Sequence, residues 1–191
     1  MDLRTWGVGV AAVVLGMGVA SAIGREGAVP ETFKATASIK TSGGVAATAP
    51  VMVTVDRTMA QAQVDSLIEA FKSGGAEALR KALDGVPPTG SVRIGNAKPA
   101  VARMTLERVT DKGRLVTIVT LEPIAFLGAG MPGAKPTEGY QFGVVDLEVD
   151  ATGKGAGTLS PAAKIRVHEG AFVVEDYATD LVQLKEVSKV K

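Results

Sequence analysis

His168 is the only histidine in the chain, and its ordinary titration near neutral pH makes it the first candidate for general acid or base work. Glu169, Glu175, Asp176 and Asp180 follow it closely, and two carboxylates such as Glu175 and Asp176 are the residue types a hydrolase pairs as acid and base. The competing reading is a solvated hairpin end: on strand parity His168 falls with Lys164 and Arg166, opposite Ile165 and Val167. Gly128, Gly130 and Gly133 spell G-x-G-x-x-G, but Pro132 and Pro136 occupy the place where a phosphate-binding helix would start, so a loop is the better reading. Asp150, Thr152 and Gly153 suggest a fragment of a calcium loop. Lys154 and Ala156 interrupt it and no closing glutamate arrives, which leaves a glycine-bearing turn. No serine sits in a G-x-S-x-G elbow. With no cysteine and one histidine, thiol nucleophiles, disulfides and multi-histidine or cysteine metal sites are excluded, and no cofactor or metal is expected.

Charge and composition narrow the partners. The chain has 191 residues, with 21 Lys and Arg against 20 Asp and Glu, which removes the electrostatic case for nucleic acid as the main partner. One Trp, two Tyr and five Phe are too few to spare exposed rings as stacking platforms for sugars or unpaired bases. From Thr5 to Gly24 no residue is charged, and this apolar run follows Arg4 and ends in Ala20-Ser21-Ala22. That is the layout of a secretory signal peptide cleaved after Ala22, and Gly7, Gly9, Gly16 and Gly18 weaken the rival reading of a membrane anchor. Residues 1–22 are therefore expected to be a signal peptide, 23–32 a flexible leader arm and 33–191 one domain. Secretion or a periplasmic location follows, with membrane contact only if the leader stays uncleaved.

The elements that would position these residues are mostly strands. Phe33, Ala35, Ala37 and Ile39 alternate with Lys34, Thr36, Ser38 and Lys40, the two-residue period of a half-buried strand, and Val51 to Val55 repeats it. Thr58 with Gln61 predicts a helix start, and Val64, Leu67, Ile68 and Phe71 draw one apolar stripe up to Gly74 and Gly75. A second helix is expected over 76–84, giving a helical pair at about 58–73 and 76–84. Strands then follow at Val92 to Ile94, Ala102 to Leu106, Leu115 to Leu121, Tyr140 to Val149, Ala163 to His168, Phe172 to Tyr177 and Leu181 to Val187. Turns are predicted at Asp111-Lys112-Gly113, at Asp150 to Gly157 and at Glu169-Gly170. Leu115 to Leu121 is apolar on both faces, which predicts a central strand.

The order of segments resembles an uncharacterised family of small exported bacterial proteins. The likeness runs from Phe33 to Val187. It rests on Val53-Thr54-Val55-Asp56-Arg57, the helical pair, Val86-Pro87-Pro88-Thr89-Gly90, Gly113-Arg114 leading to Leu121-Glu122-Pro123-Ile124, and Glu175-Asp176-Tyr177. It implies export and carries no activity or site residue.

These readings converge on an α+β domain: a mainly antiparallel sheet, barrel-like or strongly bent so that it exposes few edges, with one inserted helical pair. The expected function is non-enzymatic. One version binds a small apolar ligand in a cavity bordered by Met104, Leu106, Ile118, Phe142 and Leu147, beneath a loop at 128–139. The other is a structural or interaction module whose partner is an envelope protein. A secreted hydrolase using His168, Glu175 and Asp176, and a membrane-tethered protein, are the alternatives.

Overall fold

The computed structural model describes residues 30–40, 46–126, 138–177 and 181–190. The expected signal peptide (1–22) and most of the expected leader arm (23–32) and loop (128–139) lie outside them. The elements in chain order are β1 (Glu31–Lys40), β2 (Ala46–Val55), α1 (Gln61–Asp84), β3 (Gly90–Ile94), β4 (Ala100–Thr110), β5 (Gly113–Thr120), β6 (Phe142–Val149), β7 (Lys154–His168), β8 (Ala171–Tyr177) and β9 (Val182–Lys189). All pairings are antiparallel and run β6-β5-β4-β3-β2-β1-β9-β7-β8. A further pairing of β6 with β7 closes eight of the nine strands into a barrel. Closure satisfies the backbone groups that the edges of an open sheet would leave unpaired.

The ninth strand, β8, pairs with β7 alone. The first half of β7 lies between β6 and β9, and its second half, Ala163 to His168, pairs with β8. The link is the tight reversal expected at Glu169-Gly170, where both residues have positive φ, 50° and 77°, as a two-residue hairpin turn requires.

Apolar residues form two cores, one on each side of the barrel wall. The inner core contains Phe33, Val53, Val92, Ile118, Leu147, Leu159 and Leu184, each at most 1% exposed. The outer core lies between α1 and the outer face of β4 to β8 and gathers Leu67, Ile68, Leu79 and Leu83 with Met104, Val119, Phe142, Ile165 and Phe172. The ring of Phe71 meets that of Phe172 edge-on at 6.1 Å. Each aliphatic side chain buried here contributes about 1.5–3 kcal/mol, which holds the helix on the barrel.

β2 starts at Ala46, five residues before the expected Val51, and β4 runs from Ala100 to Thr110 rather than from Ala102 to Leu106. Three further differences concern the helix, β7 and β1. The helical pair is one helix, kinked where Gly74 and Gly75 leave helical geometry, and the residues on both sides of the kink join the same outer core. It begins at Gln61 rather than Thr58, since the backbone N–H of buried Met59 donates to the Thr105 carbonyl (2.9 Å) and keeps the chain pinned to β4 up to that point. Gln63 then caps the helix, accepting from the Ala60 N–H at 3.4 Å.

The second difference is at β7, which starts at Lys154 and not at Ala163, so the second half of the predicted turn at 150–157 is strand. Its glycines serve close approach: a side chain on Gly155 would collide with the Glu148 carbonyl, and one on Gly157 with the Asp146 carbonyl. The third is at β1, where Glu31 and Thr32 belong to the strand rather than to the leader arm. Among the described residues no helix is long and apolar enough to cross a membrane.

Candidate functional site

Among the described residues no helix packs on β1, β2, β3 and β9. Their inward residues, among them Phe33, Ala35, Val51, Val53, Val92, Ile94 and Val187, belong to the inner core, so the residues between them point outward. The register then lines up Arg93, Met52, Lys34 and Ser188 in one row across the four strands. Thr36 and Pro50 form the next row. At this place β9 carries a bulge: its register with β1 shifts between Lys34 and Thr36, and Glu186, at φ 54°, is, like Glu169 of the hairpin turn, a non-glycine residue held in left-handed conformation. Bulges re-aim side chains, and a left-handed non-glycine residue stores strain of about 1–3 kcal/mol, a cost that concentrates at functional positions.

The result is a groove of about 530 Å3 on the outer face, lined by Lys34, Thr36, Pro50, Met52, Arg93, Gly95, Glu186 and Ser188 with Ala35 and Val51. Its polar groups are largely unspent. Thr36 Oγ1 donates to Glu186 Oε2 at 3.4 Å, and an Arg93 Nη2–H points at Met52 Sδ, a weak acceptor, at 3.7 Å. Lys34, Arg93 and Lys185, the last opposite Thr36, form no ion pair among the described residues. Met52 is 40% exposed between the two cations.

Two other charged clusters are committed. At the end of the barrel where β1 begins, Arg114 reaches Glu31 (2.5 Å) and Glu107 (3.0 Å) with its guanidinium over the Phe33 ring, and Lys189 also binds Glu31 (2.6 Å). Burial alone would raise the Glu31 carboxyl, but hydrogen bonds from Lys189 and Arg114 outweigh it and hold the group below its ordinary value. This cluster closes the barrel end and explains why β1 starts at Glu31. On the outer face Asp146 is buried opposite Thr117, whose hydroxyl donates to it at 2.5 Å. Burial pushes the Asp146 carboxyl up, against the opposing pull of Thr117 and Arg108.

The structure does not bring the sequence candidates together. His168 ends β7 opposite Ala171, half exposed, with Glu169 3.9 Å away. Asp176 lies opposite Lys164, four residues back along β7, about 13 Å from His168. It accepts from the Tyr140 hydroxyl at 2.6 Å, and Glu175 pairs with Lys164 at 3.1 Å. Of the five residues assigned to a cavity, Ile118 and Leu147 point into the barrel, whereas Met104, Phe142 and the partly buried Leu106 belong to the outer core under α1. They border no common space. Asp150 is the hub of a turn, its Oδ1 accepting from the backbone of Thr152 (2.8 Å) and Lys154 (3.1 Å) and from the Thr152 hydroxyl (2.7 Å). Among the described residues no group of three His, Asp or Glu side chains stands ready to hold a metal ion.

The groove escaped sequence reasoning because its residues are spread over four strands from Lys34 to Ser188. The available signal was the outward set of β1 and β2, with Lys34 and Met52 among hydroxyl residues. No family model matches the chain, and neither a curated protein nor a solved structure matches it.

Proposed function

We propose that the protein is exported, non-enzymatic and acts at the cell envelope as an interaction module, binding through the outer face of β3, β2, β1 and β9. The observation that carries this reading is the contrast between a barrel interior lined by one buried apolar cluster and an outer face that no described helix covers, with a groove and cations that form no ion pair among the described residues. The apolar-ligand version has less support, since its five residues fall into two separate cores. The hydrolase version has less support too, with His168 about 13 Å from Asp176. Export rests on the signal-like leader and agrees with the resemblance to exported bacterial proteins.

Mass spectrometry of the protein purified under mild conditions from its native compartment tests the first half. A chain starting at Ile23 with no apolar molecule attached is expected. A retained leader in a membrane-bound form would favour the tethered reading, and a stoichiometric apolar ligand the binder. A photo-crosslinking residue in place of Met52 tests the second half: it should form a discrete adduct in the envelope, while the same residue in place of exposed Glu77 on α1 should not.

A further inference from the structure

We infer that the groove takes an extended peptide segment bearing an acidic side chain at one end and a basic side chain about four residues away. This rests on the reading of the open face as the recognition surface. The length comes from the sheet. From Arg93 on β3 to Glu186 on β9 there are three inter-strand steps, about 14 Å, and an extended chain covers almost the same distance, about 13 Å, from residue i to i+4. Side chains at i and i+4 of an extended chain also point the same way, so one segment lying across the strands meets both walls.

The chemistry comes from what the groove leaves unsatisfied. Arg93 offers a planar fork suited to a carboxylate, and its only partner among the described residues is a thioether sulfur. Lys34 stands on the same row, two strands away across Met52, without a counter-ion among the described residues. At the opposite wall the bulge holds out the Glu186 carboxylate, which accepts one long hydrogen bond from Thr36 and has capacity for a cation. Met52 and Pro50 give apolar contact between the two ends. A uniformly acidic segment would meet Glu186 as a like charge, and a uniformly basic one would meet Lys34 and Arg93. The mixed-charge segment, acidic at the Arg93 end and basic at the Glu186 end, is the one that meets an opposite charge at both walls, with Lys34 between them on β1.

The test is titration of the isotopically labelled exported protein with the blocked pentapeptide Glu-Thr-Val-Thr-Lys, followed in amide spectra. Glu-Thr-Val-Thr-Glu, Lys-Thr-Val-Thr-Lys and the closely spaced Glu-Lys-Val-Thr-Thr serve as comparisons. The first peptide should shift the amides of Lys34, Thr36, Met52, Arg93 and Glu186, bind more tightly than the other three and weaken with salt. Arg93→Glu should weaken it about tenfold or more, the loss expected for a charge-assisted hydrogen bond turned into a repulsion. Glu186→Gly should weaken it about threefold without harming the fold, because glycine accepts the positive φ at no steric cost. Tighter binding of the doubly acidic peptide, improved further by Glu186→Gly, would overturn the mixed-charge assignment and leave the open face as the recognition surface. No binding by any of the peptides would overturn this inference, with crosslinking at position 52 deciding the wider reading independently. Shifts confined to residues outside the groove would overturn both.

Discussion

Along β5 and β6 buried residues follow one another without interruption, Val116 to Thr120 and Phe142 to Leu147, whereas along β2 buried Val51, Val53 and Val55 alternate with more exposed Met52 and Thr54. The first pair of strands has the barrel core on one side and α1 with its outer core on the other. The second region has a core on one side only. A sheet face that no helix covers must be polar enough to stay in water, and the groove with Lys34, Arg93 and Glu186 lies on that face. Among the described residues, the helix thus covers one half of the outer wall and leaves the other half without a second layer.

The sharpest way to break this comparison is to put a charge under the helix. Phe142 and Met104 are fully buried, so Phe142→Asp or Met104→Glu should prevent folding, as judged by loss of a cooperative thermal transition in circular dichroism. The milder truncations Phe142→Ala beneath the helix and Leu147→Ala inside the barrel should each cost about 2–5 kcal/mol in denaturant unfolding. Met52→Ala on the open face should stay within about 0.5 kcal/mol. A large loss at Met52 would mean that the open face is part of the core architecture.

The two buried or half-buried carboxylates should respond to pH in opposite senses. Glu31 has its folded pKa lowered, so its contribution is present above the unfolded value and is lost as pH falls through the folded value. Arg114→Ala removes its main guanidinium partner and should cost about 1–3 kcal/mol near neutral pH, with a smaller loss in acid where Glu31 is already protonated. Asp146 has its folded pKa raised. Its neutral form suits the folded state, so stability is full below the unfolded value and falls as pH rises through the folded one. Asp146→Asn should flatten that decline, and unfolding curves at several pH values check both.

The smallest effect is expected at the bulge. Glu186→Gly should leave stability unchanged or raise it by up to about 1 kcal/mol, as relief of the left-handed strain offsets the freer unfolded chain. A marked loss of stability would assign the Glu186 side chain a structural task instead of a recognition one.

Much of the fold was legible in the residues. Alternation identified β1 and β2, the two-sided run of Leu115 to Leu121 marked a central strand, and Glu169-Gly170 and Asp111 to Gly113 marked hairpin turns that the structure contains. The start of β7 was not legible, because Gly155 and Gly157 look the same in sequence whether they serve a turn or admit a neighbouring carbonyl. The proposed cavity failed for a related reason. Phe142 and Leu147 are both apolar and lie five positions apart, so they point to opposite sides of β6, but a strand apolar on both faces carries no mark of which side is inside.

By itself, then, the sequence determined the number and nature of most strands, the amphipathic stripe of the helix, the absence of thiol chemistry and the near-balanced charge, since each of these depends on residue type and local period. Only the tertiary structure decided that β6 meets β7 to close the barrel, that the helix covers β4 to β8, and that Lys34, Met52, Arg93 and Glu186 share one groove. Those outcomes depend on pairing between strands far apart in the chain, where register and one bulge, rather than any local preference, set which side chains become neighbours.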